Sequence, residues 1–151
     1  MKQWLICLTF VLLGSQLKAQ RFDADSLMIA GGFDVFKISQ GELQSSFQAG
    51  LEVHYFLKER LSAQIGTEYW SGEPHWKLTV GSRYYLKQHP LFFRARGILL
   101  GEADFAIGSG YAFDLHKGWA IEVMADYFFA EEALALRFGL SKRLGKFYKY
   151  D

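Results

Sequence analysis

The sequence predicts an all-β fold, an eight-stranded antiparallel up-and-down transmembrane β-barrel. Three observations predict it: hydrophobicity alternating with period two, eight such segments joined by short turns, and no later segment apolar enough for a transmembrane helix. The clearest segment runs from Gln48 to Lys58. Ala49, Leu51, Val53, Tyr55 and Leu57 are apolar, while Gln48, Gly50, Glu52, His54 and Lys58 are polar or lack a side chain. Successive strand residues point to opposite faces, so this pattern gives one greasy face and one wet face.

Residues 1–19 place the chain outside the cytoplasm. Lys2, an apolar run from Trp4 to Leu13 and the close Leu17-Lys18-Ala19 form the layout of a secretory signal peptide cleaved after Ala19. The run is too short to cross a hydrocarbon core that needs about 20 residues. The single cysteine, Cys7, lies within it, so the exported domain, 20–151, has no disulfide, thiol nucleophile or thiolate ligand. Removing Lys2 and Lys18 from the 17 basic residues leaves 15 against 16 acidic ones, a formal charge of −1. That balance gives no electrostatic case for nucleic acid. Aromatics at 17%, 15 glycines and only two prolines suit long strands with tight bends.

Taken in order, the strands are predicted over 27–39, 46–58, 61–71, 75–86, 91–102, 104–115, 119–130 and 133–144. The turns between them carry Lys58-Glu59-Arg60, Gly72-Glu73-Pro74, the 87–90 segment, His116-Lys117-Gly118 and Glu131-Glu132. Each strand is at or slightly above the 9–11 residues a tilted transmembrane strand requires. An even count closes without an exposed edge. Glycines at 50, 66, 81 and 97 recur about once per strand and turn, a structural repeat of hairpins, while Gly32 and the strand 6 glycines Gly108 and Gly110 are read as places where the wall bends or side chains need room.

Alternation alone does not say which face is outside; a soluble periplasmic barrel with an apolar lumen would alternate too. The composition of the faces favours lipid outside. Tyr55, Tyr69, Trp76, Tyr84, Phe105, Tyr111, Phe113, Trp119, Tyr127 and Phe129 gather towards strand ends, with aliphatics between them, as two interfacial girdles require. The opposite face of strand 6 is small, with Ala106, Gly108, Gly110 and Ala112, leaving room for long side chains across a narrow lumen. Registers set from the turns place Arg96 opposite Gly110 and Arg94 opposite Ala112, which in turn faces Glu122 and so brings Arg94 within its reach. They set Glu68 opposite Lys77, Asp126 opposite Arg137 and Arg83 opposite Arg94. The predicted interior is a paired charge network of Glu52, Glu68, Lys77, Arg83, Arg94, Arg96, Glu122, Asp126 and Arg137, closed to an open pore.

The signal peptide ending in Ala-Gln, the eight amphipathic strands, and Ala49-Gly50-Leu51-Glu52 and Phe138-Gly139-Leu140-Ser141 resemble the small outer-membrane β-barrel proteins of Bacteroidota. Arg143 to Tyr150 is similar to the aromatic-rich assembly signal that closes such barrels, although Lys142 and Lys146 would face lipid and Asp151 follows the last aromatic. The resemblance implies outer-membrane lipid as surroundings, the barrel assembly machinery as partner during biogenesis, and a monomer. It also implies that both termini and the turns near Lys58, Gln88 and His116 are periplasmic, leaving short outer loops near Gly41, Gly72, Ala103 and Glu131.

Some such barrels modify lipid A, the deacylase type carrying His-x-Ser-Asn on a strand. The residues two after each histidine here are Phe56, Lys77, Leu91 and Gly118, so that signature is absent. His54, beside Glu52 and near Gln64 by register, is the best general-base candidate; a hydrogen-bonded lumen histidine is its plainer reading. His89 and His116 lack metal-ligand spacing and read as exposed turn residues. Trp70 and Trp76 read as interface anchors beside the 72–74 turn. Gly31-Gly32 and Gly108-Ser109-Gly110 precede no helix and so cradle no phosphate. The expectation is therefore a structural or surface-interaction protein without cofactor or metal, rather than an enzyme.

Overall fold

A computed structural model describes residues 23–44, 47–71, 75–100 and 103–146. The predicted signal peptide, the Gly72-Glu73-Pro74 turn and the chain beyond Lys146 lie outside the described residues.

Eight strands form the wall. We number them in chain order as β1 (Ser26–Ser39), β2 (Gln48–Lys58), β3 (Leu61–Trp70), β4 (Trp76–Tyr85), β5 (Leu91–Ile98), β6 (Asp104–Asp114), β7 (Trp119–Phe128) and β8 (Ala133–Lys146). Each pairs antiparallel with its sequence neighbour, and β1 pairs with β8 to close the cylinder. Closure satisfies wall backbone groups between strands, which an open edge in lipid would not. A three-residue strand, Glu42–Gln44, folds back on the end of β1 beyond the rim. The first residue of β1, the last of β8 and the turns at 59–60, 86–90 and 115–118 share one end, the turn end. The connections at 40–47, 71–75, 99–103 and 129–132 share the other, the loop end.

Period two governs burial as it governs sequence. On β2, Gln48, Glu52, His54 and Phe56 are buried in the lumen, while Leu51, Val53, Tyr55 and Leu57 are exposed outside. The wall is therefore apolar outward and polar inward, the reverse of a soluble barrel.

Two register details depart from the sequence reading. β5 stops at Ile98, so the following loop is centred further back than predicted. Arg94 then lies opposite Gly108 and Arg96 opposite Ala106, not Ala112 and Gly110. The β7–β8 turn is likewise displaced, setting Asp126 opposite Ala135 and Arg137 opposite Met124. Glu68 does face Lys77, and Arg83 does face Arg94.

β1 carries a bulge. Asp34 pairs with Arg137 and Phe36 with Leu136, leaving Val35 as the extra residue. An extra residue reverses the in–out alternation beyond it. Asp34 and Lys37 are consequently both inside, with Val35 and Phe36 adjacent and both exposed. β8 runs past the predicted end at residue 144, through a second irregularity, to pair Lys146 with Ser26.

Candidate functional site

The candidate site is the lumen, which is layered along the barrel axis. At the turn end, Met28, Phe56, Tyr85 and Phe92 form an apolar layer in which Tyr85 lies 5.9 Å from Phe56 and 5.2 Å from Phe92. At the loop end, Trp70, Ile98 and Phe128 form another, the two aromatics edge to face at 6.0 Å. Between them lies the charge network.

All nine predicted network residues lie in this interior, each 5% exposed or less. Their partners follow from the observed registers. Arg83 donates to Glu122 at 2.8 Å and to Glu52 at 3.3 Å. Arg94 donates to Asp126 through Nε, at 2.7 Å, and through Nη2. Arg94 thus turns to Asp126 and not to Glu122, which is held by Arg83. Arg96 bridges Glu68 and Asp126, and Arg137 bridges Asp34 and Glu68, both at 2.6 Å. The facing pair Arg83 and Arg94 is tolerated because Glu52 lies within 3.6 Å of both and each also has its own acid.

Glu52 is the hub. Besides Arg83 and Arg94, it lies 3.5 Å from Arg96 and 3.9 Å from Arg137. Buried lysines and arginines are Lys37, Lys77, Arg83, Arg94, Arg96 and Arg137; buried acids are Asp34, Glu52, Glu68, Asp104, Glu122 and Asp126. Among the described residues six buried cations thus meet six buried anions, with half-buried Glu131 also pairing Lys37 and Lys77, so buried charge is matched by opposite charge, as burial requires.

Near the loop end the sequence reading is corrected at Trp70. It is buried in the lumen, with the Lys77 ammonium 3.4 Å and the Lys37 ammonium 4.1 Å from its ring centre. Of the two tryptophans flanking the 72–74 segment, Trp76 is the one outside, at 61% exposure. Both lysines also pair with Glu131, Lys77 at 3.9 Å. Sequence reasoning missed Asp34 and Lys37; the signals available were period two from Met28 and Ala30 for Asp34 and, for Lys37, Val35-Phe36, two apolar neighbours set between charges.

His54 sits between two polar side chains, Nε2 3.3 Å from Glu52 and Nδ1 3.4 Å from Ser62, with Gln64 directly opposite it in register. Serine, histidine and carboxylate in that order is the arrangement of a nucleophilic triad. Here Ser62 and His54 are fully buried beneath the turn-end aromatic layer, and the carboxylate is engaged by arginines. Among the described residues, no group of three histidines, cysteines or acids is placed to hold a metal ion.

Outside, Tyr55, Tyr84, Phe113 and Trp119 are exposed towards the turn end. Tyr69, Trp76, Phe105, Tyr127 and Phe129 are exposed towards the loop end. Tyr111 is half-buried against Phe113, 4.6 Å between ring centres.

No protein-family model matches this chain, and no curated protein matches it. Solved structures do. The barrel is similar to a de novo designed transmembrane β-barrel, with TM-score 0.64 and 12% identity over 83% of this chain and 100% of that one. It is similar to Neisserial surface protein A, NspA, with TM-score 0.58 and 10% identity over 79% and 97%. It is also similar to Ail, the attachment invasion locus protein of Yersinia pestis, with TM-score 0.51 and 12% identity over 82% and 100%. At such low identity the likeness speaks of fold alone, and the fold it shows is a closed eight-stranded antiparallel barrel of the transmembrane kind.

Proposed function

We propose that the chain is a small integral outer-membrane protein of the Bacteroidota type, exported by its signal peptide and folded by the barrel assembly machinery into a closed monomer. Its role is structural or surface-interacting, without catalysis, cofactor or nucleic acid. One observation carries this reading: the outer wall is apolar from girdle to girdle while the charged side chains of the wall's middle point inward. In water that wall would be a continuous exposed apolar surface far beyond what a soluble monomer carries. In a bilayer it is the solvated surface.

The lumen supports a closed barrel. Two apolar layers bracket a charge network whose guanidiniums reach acids on other strands, the side-chain filling of a narrow barrel. Heat modifiability tests the assignment. Envelope fractions run without boiling are expected to give a faster band, confined to the detergent-extracted outer membrane. A single band released with soluble periplasmic proteins would overturn it.

The absence of catalysis has its own test. A fluorophosphonate applied to the folded barrel is expected to leave Ser62 unlabelled, and Ser62→Ala to cost about 1 kcal/mol of stability, the worth of one hydrogen bond. Labelling at Ser62 that His54→Gln abolishes would replace this reading with that of a hydrolase.

A further inference from the structure

The charged residues outside the lumen are sorted by end. Among the described residues, the exposed or half-buried cations Lys58, Arg60, Lys87, Lys117, Lys142 and Arg143 all lie at the turn end. The carboxylates there are Asp23, Asp25, Glu59 and Asp114. At the loop end the exposed or half-buried charges are Glu42, Glu131 and Glu132.

One of the turn-end cations lies one outward row beyond an apolar groove, on its turn-end side. Across β2, β1, β8 and β7, one outward row reads Val53, Ile29, Lys142, Trp119, and the next reads Leu51, Gly31, Leu140, Ile121. Gly31 leaves a gap in the second row. That gap is the floor of an outward groove of about 720 Å³, walled by Phe33, Phe47, Leu140 and Ile121. Lys142 lies over the Trp119 ring at 5.1 Å, and its ammonium donates to the Lys117 carbonyl. That bond uses one of the three donors an ammonium has. Asp114, an acid of this rim, is 3.9 Å from Arg143.

An apolar trough with a cation and a girdle tryptophan in the next row towards the turn end matches a molecule with a long hydrocarbon tail and a negative head. We propose that this groove binds an anionic phospholipid of the leaflet at the turn end, one acyl chain along Gly31 and the phosphate on Lys142 and Lys117. The proposal rests on the membrane reading above.

Trp119 reports on the site directly. Replacing Trp4 and Trp76 by Phe leaves Trp119 as the tryptophan that meets lipid, since Trp70 is inside the lumen. The full chain, its folding checked by the unboiled band, is reconstituted in vesicles containing brominated phosphatidylcholine or brominated phosphatidylglycerol. At low salt the phosphatidylglycerol is expected to quench Trp119 with a relative binding constant about five-fold higher, the worth of one lysine at an anionic surface. Lys142→Gln and Gly31→Leu should each bring the ratio close to one, and Lys142→Arg should retain it. The backbone at Gly31 accepts a side chain: a Cβ there meets Gly50 O at 3.5 Å and Leu51 Cδ1 at 3.6 Å, both ordinary contacts, and the outward leucine side chain then fills the groove. Should the leucine variant fail to fold, Gly31→Ala makes the same test with a smaller expected fall. Equal quenching by both lipids would overturn the proposal and leave the membrane reading standing. No quenching by either would overturn both.

Discussion

Glu52→Gln is expected to destabilise the barrel by about 3–5 kcal/mol, the cost of removing one partner from a buried ionic network. The substitution keeps shape and removes only charge. Glu52 is 4% exposed and lies between 3.3 and 3.9 Å from Arg83, Arg94, Arg96 and Arg137. Each of these arginines keeps another acid: Glu122 for Arg83, Asp126 for Arg94 and Arg96, Asp34 and Glu68 for Arg137. The loss is thus not one contact but one uncompensated positive charge in a space where buried charge is matched by opposite charge. Urea titration of the barrel folded in phospholipid vesicles measures it. Because the charges are enclosed, the cost should persist at high salt, where exposed pairs are screened. Asp114→Asn provides the contrast, since its pairing with Arg143 at 3.9 Å is between a quarter and a third exposed and should be worth about 1 kcal/mol or less. Equal costs at Glu52 and Asp114 would mean that the lumen is wet and its charges individually solvated.

Which residues enter the lumen was largely legible, because side-chain direction in a strand is a local property with a fixed period. Glu52, Glu68, Arg94 and Asp126 face inward by parity alone. Which acid meets which base was not, because pairing depends on hairpin register, and register depends on loop length. Ending β5 at Ile98 moves Arg94 four residues along β6, out of reach of Glu122 and onto Asp126. Parity itself fails at a bulge, which explains why Lys37 escaped notice, whereas Asp34, ahead of the bulge, keeps the inward phase of Met28 and Ala30 and was legible by parity. The two apolar layers were hidden for another reason. Phe56, Phe92 and Phe128 read as exceptions on a polar face, and only closure of the barrel brings such exceptions to one level and makes them plugs.

The recurring glycines separate in the same way, and Gly81→Ala against Gly97→Ala is the sharpest test of what they do. The two lie one step apart on the β4–β5 ladder, Gly81 opposite Arg96 and Gly97 opposite Val80. Gly81 faces the lumen, where an added Cβ would sit 2.1 Å from Ala95 O and 3.1 Å from Arg96 Cα. Those are backbone atoms, so the clash is relieved only by prying β5 from β4. A cost of about 3 kcal/mol is expected, at the upper end for overpacking. Gly97 faces outward, where a Cβ meets Val80 Cγ2 at 3.8 Å, and the change should stay within about 0.5 kcal/mol. Urea midpoints in vesicles and the unboiled gel band compare the two. If both substitutions cost the same, the glycines act through chain flexibility, which is insensitive to face. If only Gly81 is costly, its role is to keep the wall thin where Arg96 must cross to Glu68 and Asp126, and the charge network and the glycine spacing are one requirement.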